Sequence, residues 1–286
     1  MNHSNLCRRH LEMMNDTLDQ FQLKSEVAVV TGGFGKLGAI WTQALLEAGA
    51  GVAVLDRPVV PPSVSQQKLQ AQFGADKLRF YGADVTDKAS LKQVREQIEG
   101  DFGIPAGILV NNAGIDQPPE VVKTAYLYDI PIDGFTRVLD VNTTGAFLCM
   151  QVFGESMLRR GDGSIINIGS LYASVSPDAR FYDHLATDPP FIKPPAYAAS
   201  KAALVNLTRY FATHWGPQGI RVNALSPGGV EGGQDAEFKR KFNHRVPLGR
   251  LANLEDLTGP LLFLASKASK YVTGIELKVD GGFTAW

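Results

Sequence analysis

The chain is poor in cysteine, in net charge and in long hydrophobic runs. Its two cysteines, Cys7 and Cys149, lie far apart and form no ligand cluster. A disulfide framework needs more of them, so a reducing compartment suits the chain best. Lys plus Arg total 28 against 29 Asp plus Glu, a net charge of −1, which leaves no cationic field to collect nucleic acid or an anionic membrane. No run reaches the roughly 18 consecutive apolar residues of a membrane span. Arg8, Arg9 and Glu12 occupy the stretch where a signal peptide needs its apolar segment. A cytoplasmic protein with neither membrane nor nucleic-acid partner is expected. Internal repeats and low-complexity tracts are missing too. What remains is 286 residues, 44% hydrophobic and 20% charged, enough for a real core within one large α/β domain.

Short apolar runs recur at wide intervals: Val27–Val30, Val52–Leu55, Leu78–Tyr81, Ile108–Val110, Ile165–Ile168, Ile220–Leu225 and Ile275–Val279. Most are continuous rather than alternating, as strands covered on both faces require. Between them Ile40, Ala44, Leu45 and Ala48, then Leu91, Val94, Gln97 and Ile98, then Ala203, Leu204, Leu207, Tyr210 and Phe211 recur at helical spacing. The pattern predicts a doubly wound, seven-stranded parallel sheet of Rossmann type with helices on both faces. Residues 1–22 are polar and read as an N-terminal extension, with Met13 or Met14 as alternative starts, leaving 23–286 as a single domain. Pro177, Pro189, Pro190, Pro194 and Pro195 mark a long loop over about 174–195.

The first strand runs directly into Thr31-Gly32-Gly33-Phe34-Gly35-Lys36-Leu37-Gly38. Glycines there let the backbone approach a pyrophosphate, and the following helix offers its open N–H groups to the anion. Asp56 ends the second strand, where a carboxylate can accept hydrogen bonds from the adenosine ribose hydroxyls. A 2′-phosphate would meet that negative charge, which favours NAD over NADP, although Arg57 could turn to meet a phosphate. Asp84 and Val85 end the third strand, suited to the adenine edge, and Asn111-Asn112-Ala113-Gly114 end the fourth. Either could equally be ordinary turn chemistry.

Tyr197 and Lys201 lie four apart at the start of a helical segment and share a face. An ammonium beside a phenol lowers the tyrosine pKa from about 10 towards the range of a working acid or base. Alone, the pair could be two solvated neighbours. Ser170 follows the fifth strand, where its hydroxyl can serve a carbonyl oxygen or simply cap a turn.

In this order and strand context, the glycine loop, the Asn-Asn-Ala-Gly turn, Ser170, the Tyr197–Lys201 pair and Pro227-Gly228 resemble the short-chain dehydrogenase/reductase family from about Leu23 to Trp286. The resemblance implies that Tyr197 is the general acid/base, that Lys201 holds the nicotinamide ribose, and that Ser170 orients the reacting carbonyl or carbinol. It implies that Asn142 supports a proton-relay water, and that Pro227 to Val230 close over the nicotinamide, Val230 through its backbone. Gly32, Gly35, Lys36, Leu37, Gly38, Asp56, Arg57, Asp84, Val85, Asn111, Ala113, Gly114, Tyr197, Lys201, Pro227 and Val230 are its cofactor contacts. A homodimer or homotetramer is the family's usual state, and no metal is needed.

Lys36 stands where the short branch of the family usually has a glycine, and the spacing of Gly32, Gly35 and Gly38 resembles the extended branch instead. A threonine common after Pro-Gly is absent, with Gly232 near its place. Twenty-seven positions separate Ser170 from Tyr197, more than is usual in the family, and this loop is expected to select the substrate. Tyr172, Arg180, Tyr182 and Lys193, with Ser170, are the candidate substrate contacts, Arg180 or Lys193 for a carboxylate or sulfonate. They could instead pin the loop to the protein. The tail and loop resemble members acting on sugars, sugar acids or glycan precursors. The expected function is NAD-linked interconversion of a secondary alcohol and a ketone on a sugar, polyol, sugar acid or hydroxy acid. An epimerase or dehydratase using NAD transiently is the alternative that the glycine spacing suggests, and a non-catalytic nucleotide-binding relative is the third.

Overall fold

The computed structural model describes residues 17–116 and 125–286. Expectations for residues 1–16, including Cys7, Met13 and Met14, lie outside the described residues. Seven strands form one parallel sheet: β1 (Val27–Thr31), β2 (Gly51–Asp56), β3 (Leu78–Gly82), β4 (Ile108–Asn111), β5 (Gly163–Ile168), β6 (Ile220–Pro227) and β7 (Glu276–Val279). Their order is β3-β2-β1-β4-β5-β6-β7. Strands β1, β4 and β5 are buried along their whole length because both faces are covered, whereas β7, at the sheet edge, is only partly covered. In β1, Ala28 and Val30 face a core layer with Trp41, Leu45, Leu261 and Leu264, while Val27 and Val29 face another with Leu91, Ile98, Met150, Phe153 and Phe211. Alternate side chains of one strand thus serve two layers, so continuous apolarity is required.

The first layer comes from α1 (Lys36–Glu47) and α8 (Thr258–Ala265), with α2 (Val64–Phe73) beside them. The second comes from α3 (Lys88–Phe102), α5 (Ala146–Arg160) and α6 (Pro195–Trp215). Asp87 caps α3 by accepting from the N–H groups of Ala89 and Ser90, and Pro195 opens α6 with the fixed φ that a first turn favours. Gln97 and Tyr210, which the spacing predicts on inner faces, stand in solvent; Tyr210 is 57% exposed and its ring stacks on His214. Each lies one position before a residue that is buried, Ile98 and Phe211, and so rotates outward.

The 174–195 stretch is irregular, with single 3₁₀ turns at Ala179–Phe181 and Asp183–Leu185. It is nevertheless anchored. Leu171, Phe181, Tyr182 and Phe191 pack with Phe238 and Phe242 of α7 (Ala236–Arg245) and with Phe283 near the C-terminus. Ring centroids are 5.6 Å apart for Phe181 and Phe242 and 4.6 Å for Tyr182 and Phe191. This aromatic cluster holds the loop over one end of the sheet. Among the described residues no helix is long and apolar enough to cross a membrane, and Cys149 is a buried free thiol.

The chain turns from the β1-β2-β3 half to the β4-β7 half between β1 and β4, which opens a crevice beyond their C-terminal ends. Gly38 does not line it, contrary to the expectation of a cofactor contact. A Cβ there would stand 2.5 Å from the Gly33 Cα and carbonyl oxygen; the residue lets α1 pack against its own entry loop. Gly38→Ala is expected to cost about 1–3 kcal/mol through overpacking, seen as a lower urea midpoint. An unchanged midpoint would contradict this close approach.

Candidate active site

The crevice encloses about 1490 Å³, room for a dinucleotide and a small substrate together. At its start Gly32 takes φ +60°, and a Cβ there would lie 2.6 Å from the Ala113 Cα. Only glycine lets the loop after β1 approach the turn after β4 so closely. Asn112 stitches the two together: its Nδ2 donates to the carbonyls of Thr31 (3.0 Å) and Gly32 (2.9 Å), and its Oδ1 accepts from Trp41 Nε1 at 2.9 Å. Asn111, expected as a cofactor contact, is buried instead. It is still in β4, in register with Asn167, and its Nδ2 donates to Asn167 Oδ1 at 2.8 Å. Strand alternation gives the crevice to Asn112, Ala113 and Gly114.

Gly35 caps α1 without a side-chain acceptor, and no acidic residue occupies the first turn. Its N–H groups and helix dipole thus face the crevice ready for an anion. Leu37 and Lys36 line the same region. Lys36 is exposed to water and does not stand free: its Nζ donates to the Glu231 carbonyl across the crevice. At the end of β2, Asp56 accepts from the N–H groups of Phe34 (2.9 Å) and Arg57 (2.8 Å), holding its carboxylate at the crevice wall beside Arg57. Asp84 accepts from the hydroxyl and N–H of Thr86, which hold its carboxyl below the usual range, and Val85 lies beside it. Pro227 is the buried last residue of β6, paired with Val279, so the wall begins one residue later with Gly228, Gly229 and Val230. This glycine cradle, acceptor-free helix start and ribose-side carboxylate fit a nicotinamide dinucleotide.

A second cluster of polar side chains gathers near the end of β5. Residues Asp140–Gly145, between α4 (Ile132–Leu139) and α5, form a π-helical turn, a distortion common at functional sites. It turns Asn142 fully inward. The Asn142 amide accepts from Ile115 N–H (2.7 Å) and donates to the Ile115 carbonyl (3.1 Å) and to Ser200 Oγ (3.0 Å). Ser200 in turn donates to the Tyr197 carbonyl at 2.7 Å. Tyr197 and Lys201 share the inner face of α6, and Ser170 hydrogen-bonds the Tyr197 hydroxyl from the end of β5.

Electrostatics here differ from the sequence expectation. Burial, then the Asp116 charge, push the Tyr197 phenol upward against the Ser170 hydrogen bond. The Lys201 ammonium is not the dominant influence on it. Its Nζ donates to the Ile168 carbonyl at 2.7 Å and lies 5.7 Å from the Tyr197 ring centroid, and burial pulls this amine down to about 8. Desolvation is the largest influence on both groups.

Tyr172, Tyr182 and Lys193 line the crevice beside Tyr197. The tyrosines hydrogen-bond each other, and burial pushes Tyr172 up to about 12. Arg180 does not join them. It is 79% exposed and forks onto Asp178 two residues away, in a separate surface depression with Arg240, His244 and Trp286. A local carboxylate captured it. Sequence reasoning passed over Asn112, Ile115, Asp116 and Ser200. Of these only Asn112 and Asp116, flanking Ala113-Gly114-Ile115 in the turn after β4, had a readable signal.

A family model described as Enoyl-(Acyl carrier protein) reductase matches residues 36–284. Galactitol 2-dehydrogenase from Rhizobium johnstonii is 35% identical over 274 residues, covering 93% of this chain and 98% of that protein. A crystal structure of a gluconate 5-dehydrogenase from Burkholderia cenocepacia, in complex with NADP and tartrate, is 30% identical with a TM-score of 0.81, covering 94% of this chain and 99% of the other. A short chain dehydrogenase from Leptospira borgpetersenii serovar Hardjo-bovis with bound NAD+ is 33% identical with a TM-score of 0.76, covering 92% and 94%.

The lowered Lys201 amine has a consequence for stability. From about 8 to its ordinary 10.5, the unfolded chain holds a proton that the folded chain has released, so this group makes stability rise with pH across that window. Below it the burial penalty is fully present. The unfolding free energy of the wild type minus that of Lys201→Met is therefore expected to increase between about pH 8 and 10.5. A flat or falling difference would contradict the buried amine.

Proposed function

The chain belongs to the short-chain dehydrogenase/reductase family, and on that premise we propose that it uses NAD to interconvert a secondary alcohol and a ketone, with Tyr197 as the acid/base. Several of its relatives are named for that reaction on sugars, polyols or sugar acids, among them a galactitol 2-dehydrogenase and a gluconate 5-dehydrogenase. The observation that carries the residue assignment is the convergence of Ser170, Tyr197, Lys201 and the Asn142 clamp beside the glycine cradle, in one crevice. Bound in that cradle, the nicotinamide ring supplies the hydride acceptor or donor.

In the oxidative direction Tyr197 takes the carbinol proton and Ser170 donates to the oxygen as charge develops on it. Lys201, held by the Ile168 carbonyl, stands 5.7 Å from the phenol ring, where it serves the nicotinamide ribose and stabilises the phenolate. Asn142 holds the turn after β4 and, through Ser200, the first turn of α6. Arg57 stays beside Asp56 as the group that a 2′-phosphate would need, but the carboxylate supports NAD as the preferred cofactor. The same reading takes the protein as a cytoplasmic homodimer or homotetramer, as the family resemblance implies.

Two measurements test it. A panel of sugars, polyols, sugar acids and hydroxy acids should give net nicotinamide reduction, with Tyr197→Phe lowering the rate about 10²–10⁴-fold; isomerised or dehydrated product without net reduction would overturn it. Titration should show NAD binding about tenfold or more tighter than NADP, on the order of 1.4 kcal/mol. Equal or tighter NADP binding would sink the role given to Asp56.

A further inference from the structure

The reading of Tyr197 as acid/base leaves one pair of charges beside it without a task. Lys193 comes from the long loop and Asp116 from the segment after β4. Lys193 Nζ lies 2.7 Å from both Asp116 carboxylate oxygens. It stands 5.3 Å from the Tyr197 ring centroid and 5.9 Å from that of Tyr172. The lysine side chain is 9% exposed, the aspartate 44%. A merely structural surface pair would be solvated on both sides; here the ammonium is almost enclosed and both partners line the crevice.

We propose that Lys193 and Asp116 together are the specificity-determining pair of the site, and that they read two adjacent hydroxyls of an uncharged polyol or sugar while turning carboxylates away. The pair presents a donor and an acceptor side by side, and neighbouring hydroxyls of a polyol stand about one hydrogen-bond length apart. One hydroxyl donates to Asp116 as its neighbour accepts from Lys193, so the pair opens onto the substrate without either charge losing a partner. An analogue lacking those hydroxyls makes neither contact and displaces water from the half-exposed Asp116 without replacing it, so the site discriminates against it.

A carboxylate at the same place meets a different balance. The charge of Lys193 is already neutralised, so an incoming anion must displace Asp116 and leave a second carboxylate beside itself. It would also add to the Asp116 charge that already opposes the Tyr197 phenolate. Asp116 is therefore the repulsive element and Lys193 the attractive one, a division that specificity commonly uses. The proposal rests on the acid/base reading of Tyr197 and adds the substrate class.

The test compares kcat/KM for polyols and for the aldonic acids of matching length and configuration, with cofactor affinity measured separately by fluorescence titration. The wild type should favour the polyols. Asp116→Asn should raise the acid-to-polyol ratio about tenfold or more, equivalent to about 1.4 kcal/mol, by freeing the Lys193 charge. Lys193→Met should raise the polyol KM with a smaller change in kcat, Lys193→Arg should restore it in part, and cofactor affinity should stay within about twofold in all three. A wild-type preference for the acids, or an unchanged ratio in Asp116→Asn, overturns the proposal. No cofactor reduction by the wild type with either series overturns the reaction reading itself, and with it the role of the pair.

Discussion

The site depends on one buried amide. Asn142 is 0% exposed and is held in a π-helical turn from which it bonds both backbone groups of Ile115 and the hydroxyl of Ser200. Three segments distant in sequence meet at that side chain: the turn after β4, the junction of α4 and α5, and the first turn of α6. Ile115 is flanked by Gly114, which lines the crevice, and Asp116, which faces Lys193. Ser200 reaches the Tyr197 carbonyl. An apolar replacement at 142 would leave the buried Ser200 hydroxyl short of a donor and the two part-buried Ile115 groups unpaired, at up to about 1–3 kcal/mol each, and would unlock the distance between Gly114 and Tyr197.

The parallel sheet explains why one amide can do this. Both sheet faces are consumed by packing, so the C-terminal strand ends are where polar side chains can converge. The β1 and β2 ends carry the glycine loop and Asp56; the β4 and β5 ends carry Ala113, Gly114 and Ser170. Opposite them the 174–195 loop closes the substrate side, and it is stiffened by rings: Phe181, Tyr182 and Phe191 pack on Phe238, Phe242 and Phe283. The anchoring places Tyr172, Tyr182 and Lys193 within the crevice and leaves Arg180 outside it. Loop length and aromatic content therefore serve rigidity first, and only some of its polar residues remain for a ligand.

Much of this was legible in the residues. All seven strands lay within a residue or two of their apolar runs, most plainly the central ones, which are covered on both faces and have no polar alternative. Asp56 was readable from its place at a strand end, and Tyr197 and Lys201 from a spacing that shares a helix face. What escaped depended on a one-residue phase or on partners remote in sequence. Asn111 and Asn112 are chemically identical, and only the pleat decides that the first bonds Asn167 inside the sheet while the second ties the glycine loop. Arg180 looked free for an anion because nothing in its spacing shows that it folds back onto Asp178 two residues away. The pairing of Lys193 with Asp116 spans 77 positions, and no local pattern announces it. The tyrosine pKa was misjudged for a related reason: spacing reveals a neighbouring charge but not the burial that outweighs it.

The most direct measurement is on Asn142→Ala, by amide hydrogen exchange at Ile115 together with turnover. If Asn142 is the clamp, the Ile115 N–H should lose protection, turnover should fall by about 10²–10⁴-fold, and the far-ultraviolet circular dichroism of the sheet and helices should be kept. Unchanged protection at Ile115 with turnover within a few-fold of the wild type would contradict the account.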